Sequence, residues 1–172
     1  MKRYLLICVA LLRVVTQNSI ADPQTERIRK GAEENSAALT AGDFSRVVDF
    51  TYPKAVEMLG GREKMVELLR HGTEEMQSQG AAILGAQVTE PKEVVTFGTK
   101  RFAIVPMVVK SRIPEGTITA KSFLLAISTD EGMTWTFLDG AGITKEILAQ
   151  VIPDFPPQLS LPTKEPPTLE RK

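Results

Sequence analysis

Few side chains in this 172-residue chain have a type and a spacing that does chemistry. The single histidine, His71, follows Leu68 by three residues in a stretch of helical period. That places it at the edge of an apolar face, a half-buried packing position before it is a general base. The single cysteine, Cys8, falls inside an N-terminal apolar run. Beyond it the chain offers no thiol nucleophile, disulfide or thiolate metal site, and one histidine does not make a zinc centre. We therefore expect no metal and no cofactor. Ser111, Ser122 and Ser128 lie outside any G-x-S-x-G elbow, so serine hydrolase chemistry has no support. Gly140-Ala141-Gly142 lacks the third glycine and the lysine-serine pair of phosphate loops and reads as a flexible connection. Lys121 shares a strand face with Phe123, Leu125 and Ile127. It could hold an anionic ligand at a pocket mouth, although a lysine guarding a sheet end is the commoner use.

The stretch Ser128-Thr129-Asp130-Glu131-Gly132-Met133-Thr134-Trp135 lies between two apolar runs and reads as a hairpin. Asp130 is placed to bond the backbone two residues on, Gly132 to supply a positive φ, and Trp135 to fold its ring over the turn. The spacing S-x-D-x-G-x-T-W resembles an Asp-box, the turn that recurs in propeller blades of sialidase-like proteins. It occurs once, and a propeller needs several blades. The hairpin is read as structural rather than glycan-binding.

The first 21 residues have a secretory layout: the basic start Met1-Lys2-Arg3, an apolar stretch over residues 4–12, and Ser19-Ile20-Ala21 as a small-x-small site ahead of Asp22. Arg13 interrupts the run short of the roughly 20 apolar residues of a spanning helix. Cys8 sits within the run, not after it as a lipid acceptor would. The expectation is export, with no stable membrane anchor. Basic and acidic residues balance at 21 each, and residues 1–21 contain three of the bases and none of the acids, so the remainder is mildly acidic. No basic stripe interleaved with aromatics points to nucleic acid.

Asp22-Pro23 predicts a helix start, with Ile28, Ala32 and Leu39 recurring until Gly42. Asp43 caps a shorter helix ending at Tyr52-Pro53, Pro53 opens a further turn stopped by Gly60-Gly61, and residues 62–79 form a third helix closed by Gly80. The period then becomes alternating, over 82–90, 94–97, 101–113, 117–128 and 135–138. The connections are too short for crossover helices, which predicts an antiparallel meander. Gly85 and Pro106 lie inside these strands and predict bulges or bends, hence strong curvature. Thr144 caps a last short helix. The prolines at 153, 156, 157, 162, 166 and 167 make a solvated tail, mobile beyond Pro162. The expected organisation is a leader over 1–21, one α+β domain over 22–152 and a proline-rich tail over 153–172.

Ala41-Gly42-Asp43-Phe44, Phe50-Thr51-Tyr52-Pro53-Lys54 and Leu59-Gly60-Gly61-Arg62-Glu63-Lys64-Met65, followed by the strand pair around Ile104 and Leu124, resemble the nuclear transport factor 2-like superfamily. This is the cone-like fold of ketosteroid isomerase and SnoaL-type enzymes, also called cystatin-like. The resemblance implies N-terminal helices packed on the concave face of a strongly curved antiparallel sheet, with a pocket between them. It also implies a place for a carboxylate base and for tyrosine and acid donors to an oxyanion. The pieces present are Tyr52 and Asp139, read first as a packing residue and a turn residue. No acid lies within 101–113 or 117–128, so a base projecting from mid-sheet is missing. The expected pocket wall is Tyr52, Met58, Met107, Phe123 and Trp135, with Lys121 and Asp139 at its margin. The leading expectation is a non-enzymatic extracytoplasmic domain that binds a small apolar ligand or a protein partner. The alternatives are a SnoaL-type or isomerase-like enzyme and a module that forms a homodimer through its sheet.

Overall fold

A computed structural model describes residues 22–171; the leader expected over 1–21, Cys8 included, lies outside them. α1 (Pro23–Ala41) starts where Asp22 accepts a hydrogen bond from Gln24 N and Pro23 fills the first turn, and it ends at Gly42 in the left-handed region. α2 (Phe44–Phe50) is capped by Asp43, whose carboxylate accepts from Arg46 N at 3.1 Å. α3 (Pro53–Met58) begins directly after Tyr52. Gly60 and Gly61, at φ 92° and 94°, reverse the chain into α4 (Arg62–Ser78).

Six antiparallel strands follow: β1 (Ala82–Val88), β2 (Val95–Phe97), β3 (Lys100–Ile113), β4 (Gly116–Ser128), β5 (Thr136–Asp139) and β6 (Thr168–Arg171). They form a strongly curled half-barrel, and with the helices an α+β fold. The order departs from a simple meander. β3 and β4 pair without interruption from Arg101↔Ser128 to Ile113↔Gly116. β1 and β2 lie end to end along the outer edge of β3, while β5 and β6 do the same along β4. The cause is length, since two long strands each outrun any single short partner.

Both faces of the central pair are covered. Ala103, Val105, Met107, Leu124, Ala126 and Phe137 pack with Ile28 and Ala32 of α1. Phe102, Ile104, Phe123, Leu125, Ile127 and Leu138 pack with Tyr52, with Leu148 and Val151 of α5 (Lys145–Val151), and with Ile152. Burial on two sides explains why these strands are nearly continuous apolar runs. Each large side chain removed from water contributes about 1.5–3 kcal/mol.

Gly85 marks the expected bulge, where the β1–β3 register shifts between Ile83 and Gly85. Pro106 does not. Its pairing with Phe123 is in unbroken register, and its carbonyl accepts from Thr89 N at 3.0 Å. The amide of an antiparallel residue points to the same side as its carbonyl, so the missing donor faces the gap between β1 and β2, where no ladder bond is required.

The start of the tail is packed against the domain, where a solvated segment was expected. Pro156 is fully buried, Phe155 meets Phe102 edge-on at 5.9 Å, Asp154 holds Lys100 Nζ at 2.8 Å, and β6 pairs with the start of β4. Proline removes donors but does not stop an extended segment from packing. Gly116 permits the last contact, because a Cβ there would lie 2.0 Å from the Glu170 carbonyl oxygen.

The 128–135 hairpin is a hydrogen-bond knot. Asp130 reaches three and four residues on, not two: its carboxylate accepts from Met133 N at 3.1 Å, from Thr134 N at 2.9 Å and from Thr134 Oγ1 at 2.6 Å. Ser128 Oγ donates to Asp130 Oδ1 and accepts from Gly132 N, both at 2.8 Å. The Gly132 carbonyl accepts from Trp135 Nε1 and from Arg27 of α1, tying the turn to the helix.

Gly116→Ala is expected to release β6, whose four residues are all exposed, and also to lower the unfolding temperature by straining the β3–β4 turn, where Gly116 sits at φ 155°. Amide exchange over 168–171 read beside a thermal melt checks this; retained protection there would contradict it. The donors from Thr134, with that from Ser128, hold the Asp130 carboxyl down to about 2, against 3.8 ordinarily. A depressed carboxylate contributes stability above its unfolded value and loses it as pH falls. Between pH 4 and pH 2 the wild type should therefore lose more stability than Asp130→Asn, and parallel melting curves would refute this.

Candidate functional site

α1, α2, α3 and α4 do not close fully on the sheet margin at β5, and a pocket of about 400 Å³ remains. Its wall is apolar: Leu39 of α1, Val47 of α2, Met65 and Leu69 one turn apart on α4, Phe137 of β5, and Ile143 before α5. No side chain of α4 is fully buried, because its apolar stripe faces this space. Met58, Leu59 and Ile147 also line the pocket and are 44%, 48% and 44% exposed, which gives it an apolar rim.

Four polar side chains enter the wall: Asn35, Ser36, Thr51 and Asp139. Two are satisfied locally. Thr51 Oγ1 donates to the Val47 carbonyl at 2.9 Å, and Ser36 Oγ points at Met107 Sδ at 3.8 Å. Asp139 Oδ1 accepts from Ala141 N at 2.8 Å and so caps the 3₁₀ turn Gly140–Gly142. That turn is wedged rather than flexible, since a Cβ on Gly140 would lie 2.5 Å from the Phe123 ring. Asn35 Oδ1 is buried and has no hydrogen-bond partner among the described residues. A buried acceptor left unpaired costs about 1–3 kcal/mol, and such groups call for a specific explanation.

The residues expected to form one pocket are divided. Met58, Met107 and Asp139 line the space just described. Lys121 and Phe123 lie on the opposite face of the sheet, in a second pocket of about 340 Å³ that Met107 also borders. Tyr52 borders a third recess with Lys54, Glu57 and Thr134 and is otherwise buried in the core, so it does not join Asp139. Trp135 lines none of these spaces. Its indole N–H is held by the hairpin and its ring is 7% exposed beside α1. His71 is exposed on α4, not half-buried. Asn35, Ser36, Thr51, Met65 and Leu69 were missed. The available signal was Asn35-Ser36 standing in the α1 stripe between Ala32 and Leu39.

No protein-family model matches the chain, and no curated protein matches it. Among solved structures, a chain described as an M. tuberculosis LEH-like epoxide hydrolase is matched over 76% of this chain and 99% of that one, at 16% identity and a TM-score of 0.34.

Asn35→Leu should raise the stability of the free protein by about 1 kcal/mol, because it removes an unpaired acceptor and adds apolar contact. Thermal unfolding without ligand checks this; a lower melting temperature would show that Asn35 is satisfied in solution.

Proposed function

We propose that this chain binds a small, largely apolar molecule that donates one hydrogen bond, in the pocket between the helices and β5. The observation that carries this reading is the apolar wall of the pocket, beside which Asn35 keeps a buried Oδ1 without a partner among the described residues, an acceptor that a turn of the side chain would present to a ligand. A volume near 400 Å³ lies within the range of small-molecule sites, roughly 300–1,000 Å³. The exposed rim of Met58, Leu59 and Ile147 supplies an apolar entrance. A module that pairs through its sheet has less apolar surface to use, since residues 102–107 and 123–127 of the central strand pair are already packed against the helices and the C-terminal segment.

A second reading rests on Asp139. It lines the same pocket, and only its Oδ1 is engaged by a described residue, which leaves Oδ2 of this exposed side chain as the candidate general base for an apolar substrate. Neither Tyr52 nor His71 shares that pocket, so an enzyme of this kind would work without the tyrosine donor that the superfamily resemblance implied.

Titration with 1-naphthol and with 1-methoxynaphthalene, which has the same rings and no donor, tests the binding reading. The wild type should prefer the naphthol about tenfold, the worth of one satisfied buried acceptor, and Asn35→Leu should abolish the preference. Equal affinities in the wild type would overturn it. Ring opening of 5-nitrobenzisoxazole, where a base takes the ring C–H proton as the N–O bond breaks, separates the two readings. A binder shows wild type and Asp139→Asn within a few-fold. A loss of ~10² or more, the ordinary worth of a positioned base, would promote the enzyme.

A further inference from the structure

We propose that the second pocket, on the sheet face away from α1 and roofed by the C-terminal segment, binds a small amphipathic anion: one carboxylate, sulfonate or phosphate group on a compact apolar body. The floor is a patch of two cross-strand pairs. Pro106 lies opposite Phe123 and Val108 opposite Lys121, and all four line the space. β1 ends at Val88 beside this patch, and the chain continues along β3 outside any strand, with Thr89 N and Lys92 N bonding the Pro106 and Ile104 carbonyls. Thr89 and Lys92 border the patch, and Pro162, Thr163, Lys164 and Glu165 cross above it.

Charge decides the class of ligand. Lys92, Lys121 and Lys164 all line this pocket, against the single carboxylate of Glu165. The chain as a whole is formally neutral, so an excess of two positive charges over an apolar floor is a local arrangement. Among the described residues, the pocket between the helices and β5 has no lysine, arginine or histidine in its wall. The two sites therefore differ in the charge they accept, and this proposal stands whether or not the other site is occupied.

The ammonium groups are positioned and exchangeable. Lys164 Nζ donates to the Ala141 carbonyl at 2.8 Å, which leaves two of its three donors for a ligand. Lys121 Nζ meets Glu165 at 2.9 Å, but the two side chains are 70% and 58% exposed. An ion pair so solvated contributes little, so a ligand anion replaces Glu165 at small cost. Such a ligand bridges floor to roof through Lys121 and Lys164, and so protects the segment that leads into β6.

The probes are 8-anilinonaphthalene-1-sulfonate and its uncharged counterpart N-phenyl-1-naphthylamine. The sulfonate should bind with a salt-weakened affinity that falls about tenfold or more in Lys92→Ala/Lys121→Ala, while the neutral dye is unaffected. It should also slow amide exchange over 162–171. Leu69→Trp, which fills the other pocket, should leave sulfonate binding intact. The proposal is overturned if the lysine variant, folded by circular dichroism, binds the sulfonate as the wild type does. It is equally overturned if both dyes weaken together, or if sulfonate binding is lost in Leu69→Trp instead.

Discussion

The β3–β4 pair is the constraint on which the rest of the molecule depends. Its ladder runs unbroken from Arg101↔Ser128 to Ile113↔Gly116, and alternate side chains feed two separate cores, one under α1 and one under α5 and the tail. A strand pair buried on both faces cannot carry an unpaired charge at its centre, since an isolated buried carboxylate is far too costly. The charged residues of the pair, Lys110, Arg112 and Lys121 among them, accordingly lie outside its buried stretch. Polar chemistry is pushed to the margins of the sheet.

Both pockets sit where the cover of that pair runs out. On one face the helices leave a gap at β5, and the polar groups available there come from α1 and from the end of the strand, as Asn35 and Asp139. On the other face the gap lies between β1 and β2, and the polar groups are lysines from the loop, from β4 and from the tail. Pro106 links the two stories, because its missing amide faces the very interval in which no strand pairs with β3. The ligand classes then follow from what each margin supplies: an acceptor in one case, cations in the other.

The helices and strands were legible because punctuation and period agree locally. Asp22, Gly42, Asp43, Tyr52-Pro53 and Gly60-Gly61 mark helix ends that are found at those places, and the alternating runs become β1 to β5 within a residue or two. What failed was long-range. Nothing local says that β1 and β2 share one edge of β3, or that a segment with six prolines returns to pair with β4. The same failure divided the candidate site. Met107 and Phe123 look alike as apolar strand residues, but they belong to opposite faces of the sheet. Tyr52 is tied to β5 through the Phe137 carbonyl and Asp139 ends that strand, yet the two line different spaces. Asn35 passed unnoticed because an asparagine on a helix is ordinary until its oxygen is seen to be enclosed.

The central claim is that the Asn35 oxygen is an acceptor kept for a ligand. The most direct measurement is the side-chain amide resonance of Asn35, followed in a ¹⁵N-labelled sample as 1-naphthol is added. Binding in this pocket should give a saturable shift of that resonance, together with shifts of the Met65 and Leu69 methyl groups that line the same space. A titration that leaves Asn35, Met65 and Leu69 unmoved, or that perturbs only residues on the Phe123 face, would contradict it.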